Sequence, residues 1–277
     1  MNAGKLSCGR FELSLDRPLI MGVLNVTPDS FSDGGQFLTP ELAVARAHQM
    51  QAEGVDIIDI GAESTRPGAV ALSEQEELHR LLPVLDALRD LKLPISIDTR
   101  RASVMTAVLR CGADMINDIA GFRDPASVRA VAQSTAAVCI MHMKGEPSTM
   151  QQAPVYRDVV SEVSEFLYLK AEELCRSGVS SSRIVLDPGI GFGKTLEQNL
   201  ALLRSVASIG AGRWPILLGV SRKSLIGQLT GRKVGDRLAG SLGGAVAAVL
   251  NGAQIVRVHD VAQTRDALQV VWSVLNR

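Results

Sequence analysis

The chain has 277 residues, 46% hydrophobic and 21% charged, with few aromatics and 25 glycines, the composition of a soluble globular protein with many tight turns. Lys plus Arg balance Asp plus Glu at 29 each, so no overall field draws it to nucleic acid or an anionic membrane, and any anion must be bound locally. The opening MNAGKLSCGRFELSLDRP has no apolar signal core and no long apolar window comes after it, which predicts a cytoplasmic protein without a membrane span.

Residues 5–17, with the alternating stretch FELSLD, predict a short N-terminal β-hairpin lying under the bottom of the main fold. Apolar runs then recur at 19–24, 55–60, 94–97, 114–119, 137–141, 184–186, 216–220 and 255–258. Because they are apolar on both faces, they suit strands of a parallel sheet covered by helices. Helical spacing fills the gaps, for example at 40–53, 74–91, 155–177, 237–251 and 261–275. Eight such units, with no break in composition, predict one domain over 1–277, an eight-stranded (β/α)8 TIM barrel. An open doubly wound sheet would have two edges to protect. The cysteines (Cys8, Cys111, Cys139 and Cys175) are far apart without a CxxC pair and are expected to be reduced.

In such a barrel chemistry gathers where the strands end. The first run ends in Asn25, the second leads to Glu63, Thr65 and Arg66, and the third ends in Asp98. Then come Asn117 and Asp118, His142 and Met143, Asp187, the trio Ser221, Arg222 and Lys223, and finally Arg257, His259 and Asp260. A single Asp after a strand is as readily a helix cap as a ligand. A full ring that mixes carboxylates and amides with Arg, Lys and His predicts two subsites, one for a polar heterocycle and one for a phosphate-like anion. GIGFGKT at 189–195 invites a P-loop reading, but Pro188 stands where that loop needs Gly. The basic residues Arg222, Lys223, Arg232, Lys233 and Arg237 lack interleaved aromatics, which argues against nucleic acid. His48, His79, His142 and His259 have no metal-ligand spacing.

The segments MGVLNVTPDSFSDGG (21–35) and ESTRPG (63–68), succeeded in order by SIDT, INDI, MHM, DPGIGFGK, SRKS, DRLAGS and RVHDV, closely resemble the signatures of dihydropteroate synthases over nearly the whole chain. Ala62 and Ile190 depart conservatively from the family's common pattern. The resemblance implies an alkyl transferase of folate and tetrahydrofolate biosynthesis, a homodimer and a sulfonamide target. It would condense 6-hydroxymethyl-7,8-dihydropterin pyrophosphate with 4-aminobenzoate to give 7,8-dihydropteroate and pyrophosphate. Pyrophosphate would leave first, giving a pterin-methyl cation that the amine then attacks.

On that resemblance Asp187, Asn117, Asp98 and Lys223 are expected on the pterin edge, between walls of Ile119, Met143 and Phe192. Asn25, Thr65, Arg66, Arg257 and His259 are expected on the pyrophosphate, with Asn25 the protein ligand of Mg2+. Phe31, Thr65, Pro67, Ser221 and Lys223 are expected around 4-aminobenzoate, its carboxylate near the start of the helix at Arg237. Asp98, Lys223 and Arg257 are the candidate catalytic residues. The loops at 27–37 and 63–72 are expected to order with pyrophosphate and magnesium. Gly240, Gly243, Gly244 and Ala247 could serve close packing between subunits or on the barrel. Two other readings share the fold: a pterin-binding corrinoid methyltransferase domain, without the pyrophosphate residues, and a non-catalytic pterin-binding homologue.

Overall fold

The computed structural model describes residues 4–26, 39–63, 72–145, 150 and 154–275. A two-stranded antiparallel hairpin, β1 (Lys5–Cys8) and β2 (Phe11–Ser14), precedes the sheet. The sheet has eight parallel strands: β3 (Leu19–Asn25), β4 (Ile57–Gly61), β5 (Ile95–Asp98), β6 (Met115–Asp118), β7 (Ala137–Met141), β8 (Ile184–Asp187), β9 (Leu217–Leu218) and β10 (Ile255–Val258). Their order is β8-β7-β6-β5-β4-β3-β10-β9. A parallel bridge from Leu186 to Ile216 joins the two ends of that order, so the sheet closes on itself.

The helices are α1 (Pro40–Ala52), α2 (Glu74–Ala87), α3 (Ala102–Arg110), α4 (Pro125–Ala132), α5 (Val159–Arg176), α6 (Leu196–Arg204), α7 (Ser224–Thr230), α8 (Leu238–Leu250) and α9 (Val261–Leu275). Their starts are written in side chains. Thr39 and Asp124 cap α1 and α4 ahead of a proline, and Ser73 with Glu76 and Thr195 with Gln198 form capping boxes. Asp158 accepts from the backbone of Val160 and Ser161, so α5 begins at Val159 rather than at the expected residue 155. The run at 216–220 supplies only two strand residues: Ile216 makes a single bridge before them, and the chain turns at Ser221–Arg222, where Lys223 N donates to Val220 O.

Strand alternation sorts the apolar side chains into two clusters. Ile20, Leu24, Ile58, Ile60, Ile97, Val138, Leu186 and Val256 face the helices. Met21, Ile57, Met115, Cys139, Val185, Leu217 and Ile255 fill the lower barrel interior, where Leu6 and Cys8 of the hairpin close it from below. All four cysteines are free thiols. Gly240 and Gly244 of α8 are used within the chain: a Cβ on Gly240 would overlap Ile226 and one on Gly244 would come 2.9 Å from Val220, whereas Gly243 faces open space.

Asp114 ties the hairpin to the barrel. Its oxygens accept from Arg10 N, Nε and Nη2 and from Ile95 N at 3.0–3.1 Å. Asp114→Ala is expected to lower unfolding free energy in urea by about 2–4 kcal/mol, since a buried acceptor of four donors is lost. Activity in the absence of denaturant should stay at the wild-type level, because the hairpin is at the opposite end from the strand termini that carry the polar ring.

Candidate active site

Above the apolar layer the inward side chains turn polar. Asp59 of β4, Asp98 ending β5, Asn117 of β6 and Arg257 of β10 form one network. Arg257 donates from Nε to Asp59 Oδ2 at 2.6 Å and from Nη2 to Asp98 Oδ2 at 2.8 Å. Asn117 Nδ2 donates to the same Asp59 Oδ2 at 3.1 Å. Arg257, expected on the anion side, thus spends these two donors on carboxylates beneath the heterocycle side. Burial raises the Asp98 carboxyl to about 7 against the pull of Arg257. Burial also works against the Arg257 charge, but Asp59 and Asp98 outweigh it and hold its pKa above the ordinary value.

Asp59 was not among the expected site residues. The signal was present in VDIIDI, where an acid interrupts a strand that is otherwise apolar on both faces.

Across the barrel Asp187, at the end of β8, accepts from Gly189 N at 2.7 Å. Burial raises its carboxyl pKa, with Lys223 the main opposing charge. Lys223 Nζ donates to Ile190 O at 2.5 Å and lies 4.7 Å from the Phe192 ring centroid. Burial lowers its ammonium to about 8, and Asp187 resists that shift. Ile119, Met141, Met143 and Met150 pack together with Phe192 against them, so the three expected wall residues do meet. Two glycines keep the space between these groups clear. A Cβ on Gly61 would sit 3.7 Å from Asn25 Oδ1 and 3.8 Å from Asp98 Oδ2, and one on Gly219 would sit 3.7 Å from both Lys223 Nζ and Arg257 Cβ.

His259 directly follows β10, two residues after Arg257, and its Nδ1 lies 3.0 Å from Ser221 Oγ, which also accepts from His259 N at 3.2 Å. Arg222 forms a fork on Asp260, at 3.1 and 2.5 Å, and clamps the turn after β9 to the end of β10. The short α7 starts three residues after Ser221. The start of α8 at Leu238 is tied to Arg222, the residue after Ser221, whose N donates to Ser241 Oγ at 2.9 Å and whose O accepts from Arg237 Nη1 at 3.0 Å. Asp118 turns out to be a loop cap, accepting from Ala120 N and Phe122 N at 2.7 Å. Phe31, Thr65, Arg66 and Pro67 lie outside the described residues, as do most of the loops at 27–37 and 63–72.

The GIGFGKT segment has a structural use. Lys194 is buried, and its Nζ is within 2.9–3.2 Å of His142 Nδ1, His142 O, Gly189 O and Phe192 O. It braces the turn after β8 against the turn after β7. Gly189, at φ 69°, passes so close to His142 that a Cβ would overlap that carbonyl oxygen. Burial, then the Lys194 charge, lowers the His142 imidazole to about 3. The unfolded imidazole, near 6.5, binds a proton that the folded one refuses. Stability from this group is therefore present above about pH 6.5 and is lost as pH falls towards 3. His142→Gln is expected to flatten the fall in urea stability between about pH 6 and 4, by at most one proton or about 1.4 kcal/mol per pH unit. Identical slopes for variant and wild type would mean that His142 is not the group taking up that proton.

A closed parallel barrel with a carboxylate–amide floor, an apolar slot and cations at the strand ends is a barrel enzyme shaped for a flat, hydrogen-bonding heterocycle. Comparison with known proteins agrees: the pterin binding enzyme family matches residues 21–259. Dihydropteroate synthase of Neisseria meningitidis serogroup B is 49% identical over 274 residues, spanning 96% of either chain. The Burkholderia cenocepacia dihydropteroate synthase complexed with 7,8-dihydropteroate superposes with a TM-score of 0.89 at 46% identity, covering 98% of this chain and 96% of that one. The Yersinia pestis enzyme in a sulfonamide drug complex gives 0.94 at 42% identity, covering 99% and 100%. The chain belongs to the dihydropteroate synthase family.

Proposed function

We propose that the protein condenses 6-hydroxymethyl-7,8-dihydropterin pyrophosphate with 4-aminobenzoate, releasing pyrophosphate and 7,8-dihydropteroate, as a step of folate biosynthesis. The observation that carries this is the network of Asp59, Asp98, Asn117 and Arg257 facing Asp187 and Lys223 across a slot walled by Ile119, Met143 and Phe192. A pterin presents an amino group and a ring N–H side by side, and the Asp187 carboxylate accepts both. Asn117 completes that edge, Asp98 accepts from the reduced ring, and Lys223 donates from the opposite side.

The C–O bond to pyrophosphate breaks first, and its electron pair leaves on oxygen. Arg257, through its remaining N–H groups, His259 and Asn25, with Thr65 and Arg66, supply donors for the departing anion. The carbon left behind is positive, and the Asp98 and Asp187 carboxylates are placed to favour it electrostatically. The aniline lone pair then forms the C–N bond, and the nitrogen sheds a proton. A weak nucleophile is better matched to an electrophile made beforehand. Ser221 and the start of the helix after Arg237 suit the 4-aminobenzoate carboxylate, and Phe31 and Pro67 would cover the ring.

Among the described residues no three His, Cys, Asp or Glu are grouped to hold a metal. The Asn25 amide oxygen, next to Gly61, is a hard donor that would hold Mg2+ at the pyrophosphate side. Bound there, the ion would neutralise leaving-group charge. The open face of Gly243 and the exposed Leu250, Val270 and Val274 suit a homodimer through α8 and α9, testable by light scattering. No helix of the described residues is long and apolar enough to cross a membrane, consistent with a cytoplasmic site of action. Sulfonamides, as 4-aminobenzoate mimics, are expected to inhibit competitively.

The test is pyrophosphate release from the pterin substrate. It should require both 4-aminobenzoate and magnesium and be matched by dihydropteroate formed. Failure of the amine to speed release, or release that never yields dihydropteroate, overturns the reading.

A further inference from the structure

Asp59 is fully buried, and only one of its oxygens is used. Oδ2 accepts from both Asn117 Nδ2 and Arg257 Nε, whereas Oδ1 is buried without a hydrogen bond to the described residues. By strand register Asp59 pairs with Ser96 of β5, and Ser96 with Met115 of β6. An apolar or small side chain is therefore accommodated at this depth elsewhere in the barrel. A buried carboxylate with one idle oxygen is a poor device for stability, because the desolvation of that oxygen is uncompensated. Its presence is accounted for by what the other oxygen holds.

An amide placed against a carboxylate can face it only with its nitrogen. Asp59 thus fixes Asn117 one way round, with the carbonyl oxygen directed away from the carboxylate. The same oxygen holds Arg257 through Nε, which leaves Nη2 for Asp98. We propose that Asp59 is a positioning residue that sets the donor–acceptor polarity of Asn117 and the aim of Arg257, and thereby the affinity and selectivity for the pterin ring. It touches neither pyrophosphate nor 4-aminobenzoate. This role rests on the pterin-binding function proposed for the same site.

Asp59→Asn keeps the shape but can present either end of its amide to Asn117 and gives Arg257 no charge. Fluorescence titration with 6-hydroxymethyl-7,8-dihydropterin, the unphosphorylated alcohol, is expected to show the dissociation constant raised by about tenfold or more, the scale of one misdirected charged hydrogen bond. The KM for 4-aminobenzoate at saturating pterin substrate should change by less than about twofold, since no 4-aminobenzoate contact is touched. If Asp59 acts through Asn117, the loss in Asp59→Asn/Asn117→Ala must fall well short of the product of the two single losses. Wild-type pterin affinity in Asp59→Asn, equal losses for both substrates, or fully multiplicative losses would each overturn the proposal.

If the variant does not fold, the wild-type protein gives the answer by itself. One Asn117 side-chain amide proton should be shifted downfield and protected from exchange with and without pterin. A freely exchanging amide in the unliganded protein would overturn it. Failure of the wild type to bind the alcohol at all would count against the pterin reading instead.

Discussion

Asp187→Asn is expected to lower kcat/KM for the pterin substrate by roughly a thousandfold while the protein stays folded. Two charge-assisted hydrogen bonds to the ring edge are lost, at about 1.5–3 kcal/mol each. The replacement amide can also turn an N–H towards an N–H. The fold should tolerate the change, because the asparagine oxygen can still accept from Gly189 N, the bond that shapes the loop after β8. Lys223 adds to the loss. Burial already brings its ammonium down to about 8, and Asp187 is the charge that resists this most. Without that carboxylate its pKa falls further, so fewer molecules carry the charged Lys223 at neutral pH, and residual activity should rise as pH is lowered. Steady-state pyrophosphate release measured across pH checks both parts. Activity within tenfold of wild type would sink the assignment of Asp187 to the ring edge.

Arg257→Ala should be costly in a different way, because it fails in stability as well as in turnover. Asp59 and Asp98 would be left in the barrel without their counter-charge, and breaking a buried pair on one side costs about 3–5 kcal/mol. A fall in Tm on the order of 10 °C is expected for a domain of this size. The deficit should depend on pH in a stated direction. Asp98 already has a folded pKa of about 7, above the ordinary carboxylate value, through burial, and removing Arg257 raises it further. A carboxyl raised in this way favours the folded state at low pH, and that contribution is lost as pH rises through the folded pKa. The gap between wild type and variant should therefore be smaller near pH 5 than above 7. Thermal melts across that range decide it, and a gap constant with pH would mean that Asp98 is not a charge Arg257 neutralises.

The barrel was legible because its strands are written as apolar runs that no helix period explains. The runs at 137–141 and 255–258 match β7 and β10 to the residue. The hairpin was legible from the alternation of FELSLD. Positions of polar groups at strand ends were legible too, since Asn25, Asp98 and Asp187 each close a strand. Partners were not. Lys194 sits in a motif that suggests phosphate, yet its ammonium meets three carbonyls and an imidazole from two loops. No local pattern reveals that, because His142 lies far away in sequence. Arg257 is similar: nothing local shows that Asp59 and Asp98, from distant strands, take two of its donors. Asp59 itself was hidden by position, within a strand rather than at its end. The α7 helix was missed because seven residues carry too little periodicity to separate it from the loop before α8.

Closure of the barrel has a kinetic meaning. Strand β3 pairs with β10, Leu19 with Ile255, so the first barrel strand to leave the ribosome must wait for the last. Contacts between such distant residues carry the full entropy of loop closure before they return anything, which makes them slow to form. In the meantime β4 and β5 carry Asp59 and Asp98 with no Arg257 to neutralise them, and Leu6 and Cys8 have no finished interior to plug. Docking of the final strand therefore completes the sheet and the charge balance of the substrate pocket in one event, and a nascent chain truncated before residue 255 should hold neither.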